Sequence, residues 1–221
     1  MQNVTDRTSN PFGMSPPCDH ACTPDGDRRA VFGYGDANAD VHLVGDHPNV
    51  HGGASTGVPF TDGVAGERLQ PVLNDVGLLG DVYSDEPTVS NLFASYLYAC
   101  CLPDGQSPTE AGYADMEPFF DAELRAIAAH VLLPVGERAT AHVLHEYTAR
   151  AAHIDRGMES LHATQLKGRG FLVVPIRDPA NWEANDGDRL RDELSALLAS
   201  DYRQTADLGR FTATDSSYEV R

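Results

Sequence analysis

Four short apolar runs, separated by stretches with helical spacing, constrain this chain more than any other feature. They lie at residues 40–45, 88–97, 130–136 and 170–175, and Gly or Pro falls at or just beyond the end of most of them. Such runs suit strands that are buried on both faces. Between and after them, apolar residues recur every three or four positions. Leu69, Val72, Leu73 and Val76 do so in 64–76, and Met116, Phe119, Phe120, Leu124 and Ile127 in 107–129. A third helix is expected over 137–147, and a fourth over 188–200 from Leu190, Leu194, Leu197 and Leu198. Strands alternating with helices predict an α/β three-layer sandwich with a central, mostly parallel four-stranded sheet. Ser107-Pro108-Thr109-Glu110 reads as a capping box, with Ser107 as the N-cap and Pro108 in the first helical position. Residues 1–30, rich in Asp, Pro, Ser and Thr, read as an irregular arm. Residues 31–200 form the domain, and 201–221 a loosely held tail.

The chain has 221 residues, enough for one core. It contains no apolar run of about 18 residues and no signal-peptide pattern near Met1, so the expectation is a cytoplasmic protein without a membrane partner, acting as a monomer. Asp and Glu total 33 against 16 Lys and Arg, a net charge of −17, and Lys167 is the single lysine. An acidic surface with so little lysine suits a halophilic protein. At ~1 M salt the Debye length is about 3 Å, so self-repulsion is weak while carboxylates keep the surface hydrated. The same charge opposes DNA at low salt, and less so at high salt.

Polar residues in open parallel sheets act from the carboxyl ends of strands. Those expected here are Gly45-Asp46-His47-Pro48-Asn49, then Asn91, then Arg177-Asp178-Pro179. His42 and His51 read as surface groups. The four cysteines are Cys18 and Cys22, which flank His20, and the adjacent pair Cys100 and Cys101. A cytoplasmic chain seldom keeps disulfides, which favours a metal cluster or buried thiols.

Several motifs, taken in order, resemble a known family. Val31 to Asp40, the run that follows, Gly45-Asp46-His47-Pro48-Asn49 and Thr56-Gly57-Val58-Pro59-Phe60 are similar to the start of family 4 and 5 uracil-DNA glycosylases, the iron–sulfur branch of that superfamily. The likeness resumes at Cys101-Leu102-Pro103 and its Pro-Thr-Glu helix, then at Leu132-Leu133-Pro134-Val135-Gly136, and closes at Pro175-Ile176-Arg177-Asp178-Pro179. The resemblance implies base-excision repair, with hydrolysis of the N-glycosidic bond of uracil or a related deaminated base in DNA. By position, Gly45, His47, Pro48 and Asn49 would wrap the flipped base, and Asp46 would orient the attacking water. Phe60 would stack on the ring, and Asn91 would pair with its edge. Asp178 stands where the family has a His that polarises the base carbonyl. An ionised Asp cannot donate a hydrogen bond, which leaves Arg177 or His47 as substitutes. Cys18, Cys22 and one of Cys100 or Cys101 match the ligands of a 4Fe-4S cluster, but Met116 stands in the fourth place, and a thioether is a poor cluster ligand. Three alternatives stay open: both adjacent cysteines bind, His20 joins in a zinc-like site, or no cluster remains.

Three functions stay open on sequence alone. The first is an active DNA glycosylase, and the second a catalytically impaired relative that binds DNA or a nucleobase. The third is a small metal-binding interaction protein using Cys18, His20, Cys22 and His51.

Overall fold

The computed structural model describes residues 3–5, 13–148 and 150–208. Its centre is four parallel strands: β3 (Val41–Gly45), β4 (Leu92–Tyr96), β5 (Val131–Pro134) and β7 (Leu172–Val173). They lie in the order β4-β3-β5-β7, and each falls inside one of the four apolar runs. Three short strands that the apolar pattern does not reveal extend the sheet to seven. β1 (Asn3–Val4) and β2 (Tyr34–Asp36) add antiparallel to β4 on one side, and β6 (Leu166–Lys167) adds antiparallel to β7 on the other. Runs of two or three residues are too short to carry a periodic signal.

Both faces of the sheet are covered, as an α/β sandwich requires. On one face Val41, Leu43, Leu92, Val131 and Leu133 pack with α2 (Val64–Asp75), α6 (Asp186–Leu198) and α7 (Tyr202–Leu208). On the other, Val44, Phe93, Leu132 and Val173 pack with α3 (Glu110–Ile127) and α4 (Gly136–Glu146). Alternate residues of each strand serve alternate faces. Two further helices are single turns, α1 (Pro48–His51) and α5 (Met158–Leu161). Among the described residues no helix is long and apolar enough to cross a membrane.

Two local expectations are corrected. The N-cap of α3 is Thr109, whose Oγ1 accepts the Gly112 N–H at 3.1 Å, so Ser107 and Pro108 lie outside the helix. The tail is held at its start. In α7 the Tyr202 hydroxyl and the Arg203 guanidinium both donate to the Asp40 carboxylate, which also meets His130 at 3.2 Å. Burial pushes the Asp40 pKa up, but these donors outweigh it and the net shift is downward. Residues 209–221 lie outside the described residues.

One polar group sits inside the α3 face. His42, fully buried rather than exposed, places Nε2 2.8 Å from the Ser95 hydroxyl, and Ser95 in turn bonds the buried Glu123 carboxyl. Burial raises Glu123 from 4.5 to about 7, partly offset by the Ser95 bond, and lowers His42 to about 3. A carboxyl whose folded pKa is raised contributes stability that is full below its unfolded value and is lost as pH rises through the folded one. The melting temperature of the native chain relative to Glu123→Gln should therefore fall between about pH 4.5 and 7. Taking the difference cancels the histidines, which act in the opposite sense. Parallel melting curves for the two proteins across that range would contradict the assignment.

Candidate active site

The carboxyl ends of β3 and β5 and the chain just past β7 enclose a cavity of about 470 Å³, within the ~300–1,000 Å³ range of ligand pockets. Asp46, His51, Gly136, Arg138, Arg177 and Asp178 are among its lining residues. A second cavity, of about 630 Å³, runs along the arm beside Arg28, Arg29 and Phe32. It is larger, but the strand-end residues do not reach it, so the smaller cavity is the better candidate site.

Asp46 follows directly on β3. Its Oδ1 accepts the Tyr113 hydroxyl of α3 at 2.5 Å. Burial, and then the Asp46 hydrogen bond, push the Tyr113 pKa up, so the phenol keeps its proton and acts as donor. Arg138 lies 4.0 Å from the centre of the Tyr113 ring and pairs with both Glu110 carboxylate oxygens, at 2.7 and 2.9 Å. The carboxylate of Asp46 is thus held from α3, and the ring that holds it is braced by α4.

The turn after Asp46 is short and compact. Pro48 opens α1 and is buried, as is His47, which stands at its N-cap. Asn49 points away from the cavity, its Nδ2 donating to Leu102 O at 2.8 Å and its Oδ1 accepting the Leu102 N–H at 3.2 Å. His51 ends the helix. Only 1% exposed, it accepts the Asp46 N–H on Nδ1 at 3.0 Å. Its ring stacks on Phe60, with centroids 5.4 Å apart and planes at 24°. Burial holds its pKa down to about 4, so the imidazole is neutral near pH 7. Gly52 follows with φ 89°, and a Cβ there would lie 1.9 Å from Thr61 O, so only glycine lets the turn close.

A sequence profile of the uracil DNA glycosylase superfamily matches residues 32–199. The chain belongs to the uracil-DNA glycosylase superfamily. It is 28% identical to the type-5 uracil-DNA glycosylase of Pyrobaculum aerophilum over 185 residues, covering 82% of this chain and 77% of that one. It is 37% identical to the type-5 uracil-DNA glycosylase of Thermus thermophilus over 83 residues, 37% of this chain and 38% of the relative. The corresponding enzyme of Mycobacterium tuberculosis is 30% identical over 107 residues, 47% and 40% of the two chains.

Within this glycosylase fold, the expected site residues divide into three groups. Asp46, Arg177 and Asp178 come together at the cavity. Gly45 and Phe60 stand behind it. A Cβ on Gly45 would lie 2.6 Å from the Tyr96 ring and 2.7 Å from Phe60, so this glycine makes room for aromatic packing. Phe60 is 3% exposed and lies against His51 and Tyr96, so the face expected to receive a base is already covered. Asn91 is displaced altogether. β4 begins after it, which puts it at the amino end of the parallel strands, where its Oδ1 accepts the Asp40 N–H at 2.7 Å. Asp178 caps a short 3₁₀ turn, its Oδ1 taking the Ala180 N–H and its Oδ2 the Asn181 amide. Arg177 donates to Glu183 at 3.0 Å and Asp186 at 3.2 Å. Tyr113 and Arg138 are not singled out by sequence, and His51 is named there only as a metal ligand of the third reading. The signal available for His51 was the Gly52-Gly53 pair that follows it.

The cysteines do not match the cluster expectation. Cys18 is bonded to Cys100 and Cys22 to Cys101, with Cα separations of 5.2 and 5.0 Å. Met116 Sδ lies 3.9 Å from Cys100 Sγ. Iron–sulfur clusters are held by thiolates, and the two bonds leave none, so these residues as arranged do not fit a cluster. Among the described residues, no group of three or more His, Cys, Asp or Glu is placed to hold a metal ion, and the zinc-like set with His20 and His51 does not form. The denatured, unreduced chain should therefore give no reaction with a thiol reagent, and the four cysteines should react after reduction. Free thiols in the unreduced protein, together with stoichiometric iron, would reverse this reading.

Proposed function

We propose that the chain is a DNA glycosylase that removes uracil, or a related deaminated base, as the names of its relatives describe. The observation that carries the reading is the Asp46 carboxylate, clamped by Tyr113 at the cavity of about 470 Å³ on the strand ends. Cleavage of an N-glycosidic bond builds positive charge on the sugar and negative charge on the departing base. A carboxylate beside the sugar favours the first and can take a proton from the attacking water. The water oxygen bonds to the sugar carbon as the carbon–nitrogen bond breaks, and the bonding pair leaves with the base. Such enzymes reach the base by turning it out of the duplex. With a net charge of −17, approach to DNA is easiest in concentrated salt, and we place the working protein there.

A second reading is favoured by the engagement of Asp178 as a turn cap and by the remote position of Asn91. Neither is placed to read the base, as a catalytically impaired relative that binds DNA or a nucleobase would allow. One assay separates the two readings. Excess enzyme in molar potassium chloride should release free uracil from a uracil-containing oligonucleotide, and Asp46→Asn should slow release by ~10²-fold or more. Oligonucleotide binding with no release by the native protein would select the second reading.

A further inference from the structure

We infer that His51 is a catalytic residue, donating a hydrogen bond from Nε2 to the carbonyl of the base on which negative charge develops. The inference rests on the glycosylase reading and assigns the donor that Asp178 cannot supply.

The proton position follows from the backbone. Because the Asp46 N–H is the donor to Nδ1, that nitrogen holds a lone pair and the ring proton sits on Nε2. Among the described residues Nε2 has no hydrogen-bond partner, and His51 lines the cavity. Opposite it lies Gly136, where a Cβ would come within 3.7 Å of Nε2, so the glycine keeps the space in front of the donor open.

The other side-chain donors along the cavity each already have a carboxylate partner. Arg138 is paired with Glu110, Arg177 with Glu183 and Asp186, and the Asn181 amide donates to Asp178. The ring is also fixed in place. It stacks on Phe60 and on Tyr96, whose hydroxyl accepts the Phe60 N–H and donates to Gly52 O. A donor that is aimed in advance stabilises developing charge without reorganising during the reaction. The same hydrogen bond that sets the proton on His51 also anchors the backbone of Asp46, so the carboxylate on the sugar side and the donor on the base side share one turn.

Two measurements test the assignment. In single-turnover uracil release, His51→Phe should lose roughly 10²–10³-fold in rate, and His51→Gln, which keeps an amide donor, should lose less. Binding of an oligonucleotide carrying a non-hydrolysable 2′-fluoro-deoxyuridine should change by no more than a few-fold in both. A rate for His51→Phe within three-fold of the native protein would overturn the proposal. The second measurement uses the native protein alone. In nitrogen-15 spectra the His51 ring should show a protonated Nε2 and an unprotonated Nδ1, and free uracil should shift the Nε2 signal. An unchanged Nε2 signal at saturating uracil, or a proton on Nδ1, would also overturn it. If the native protein releases no base, the hydrolytic reading fails, while the nitrogen-15 result still decides whether His51 faces the base.

Discussion

A sheet covered on both faces has almost no room for polar side chains along its strands. In β3, β4, β5 and β7 every residue is buried, and nearly all of them are apolar. An unpaired polar group in such a setting costs about 1–3 kcal/mol. Polar chemistry is therefore pushed to the two ends of the strands, and the molecule uses the ends differently. The amino end is a structural knot, in which Asp40 gathers Tyr202, Arg203 and His130 while Asn91 holds the Asp40 backbone. The carboxyl end is open, with Asp46 and His51 on the rim of a cavity. His42 and Ser95 are the exception in the strands: they bond each other and Ser95 also bonds Glu123, while His42 Nδ1 has no hydrogen-bond partner among the described residues.

The carboxyl end owes its order to aromatic packing as much as to hydrogen bonds. Tyr96 at the end of β4 links Phe60 and Gly52 through its hydroxyl, and the three rings of His51, Phe60 and Tyr96 lie against one another. Gly45 permits this because any side chain there would meet two of those rings. On the far side, the Tyr113 and Arg138 pair fixes the carboxylate. The site is thus a rigid wall of rings with one acceptor and one donor set into it.

The parallel core was legible in the sequence because short apolar runs bounded by Gly or Pro announce buried strands. The edge strands were not, since two or three residues cannot show a period. Asp46 was legible because it follows directly on such a run. Asn91 was misplaced for a related reason: the run at 88–97 was read as a single strand, whereas the ladder starts at Leu92, and a polar residue before a parallel strand belongs to the opposite end from one after it. From sequence alone His51 reads as a surface group. Its burial comes from the tight return at Gly52, a tertiary packing effect that composition does not display. The cysteine pairing was obscured by the general scarcity of disulfides in the cytoplasm, which pointed to metal instead.

The two disulfides join positions 82 and 79 residues apart, and both enclose the stretch that carries Asp46, His51 and Phe60. In the chain-entropy account a ring of that size restrains the unfolded chain by roughly 4 kcal/mol, with little added by a second that nearly coincides with it. There is also a topological result. If the backbone were severed anywhere between Cys22 and Cys100, the two fragments would stay covalently joined, so a nicked molecule would keep the turn from Asp46 to His51 tethered to the rest of the sheet.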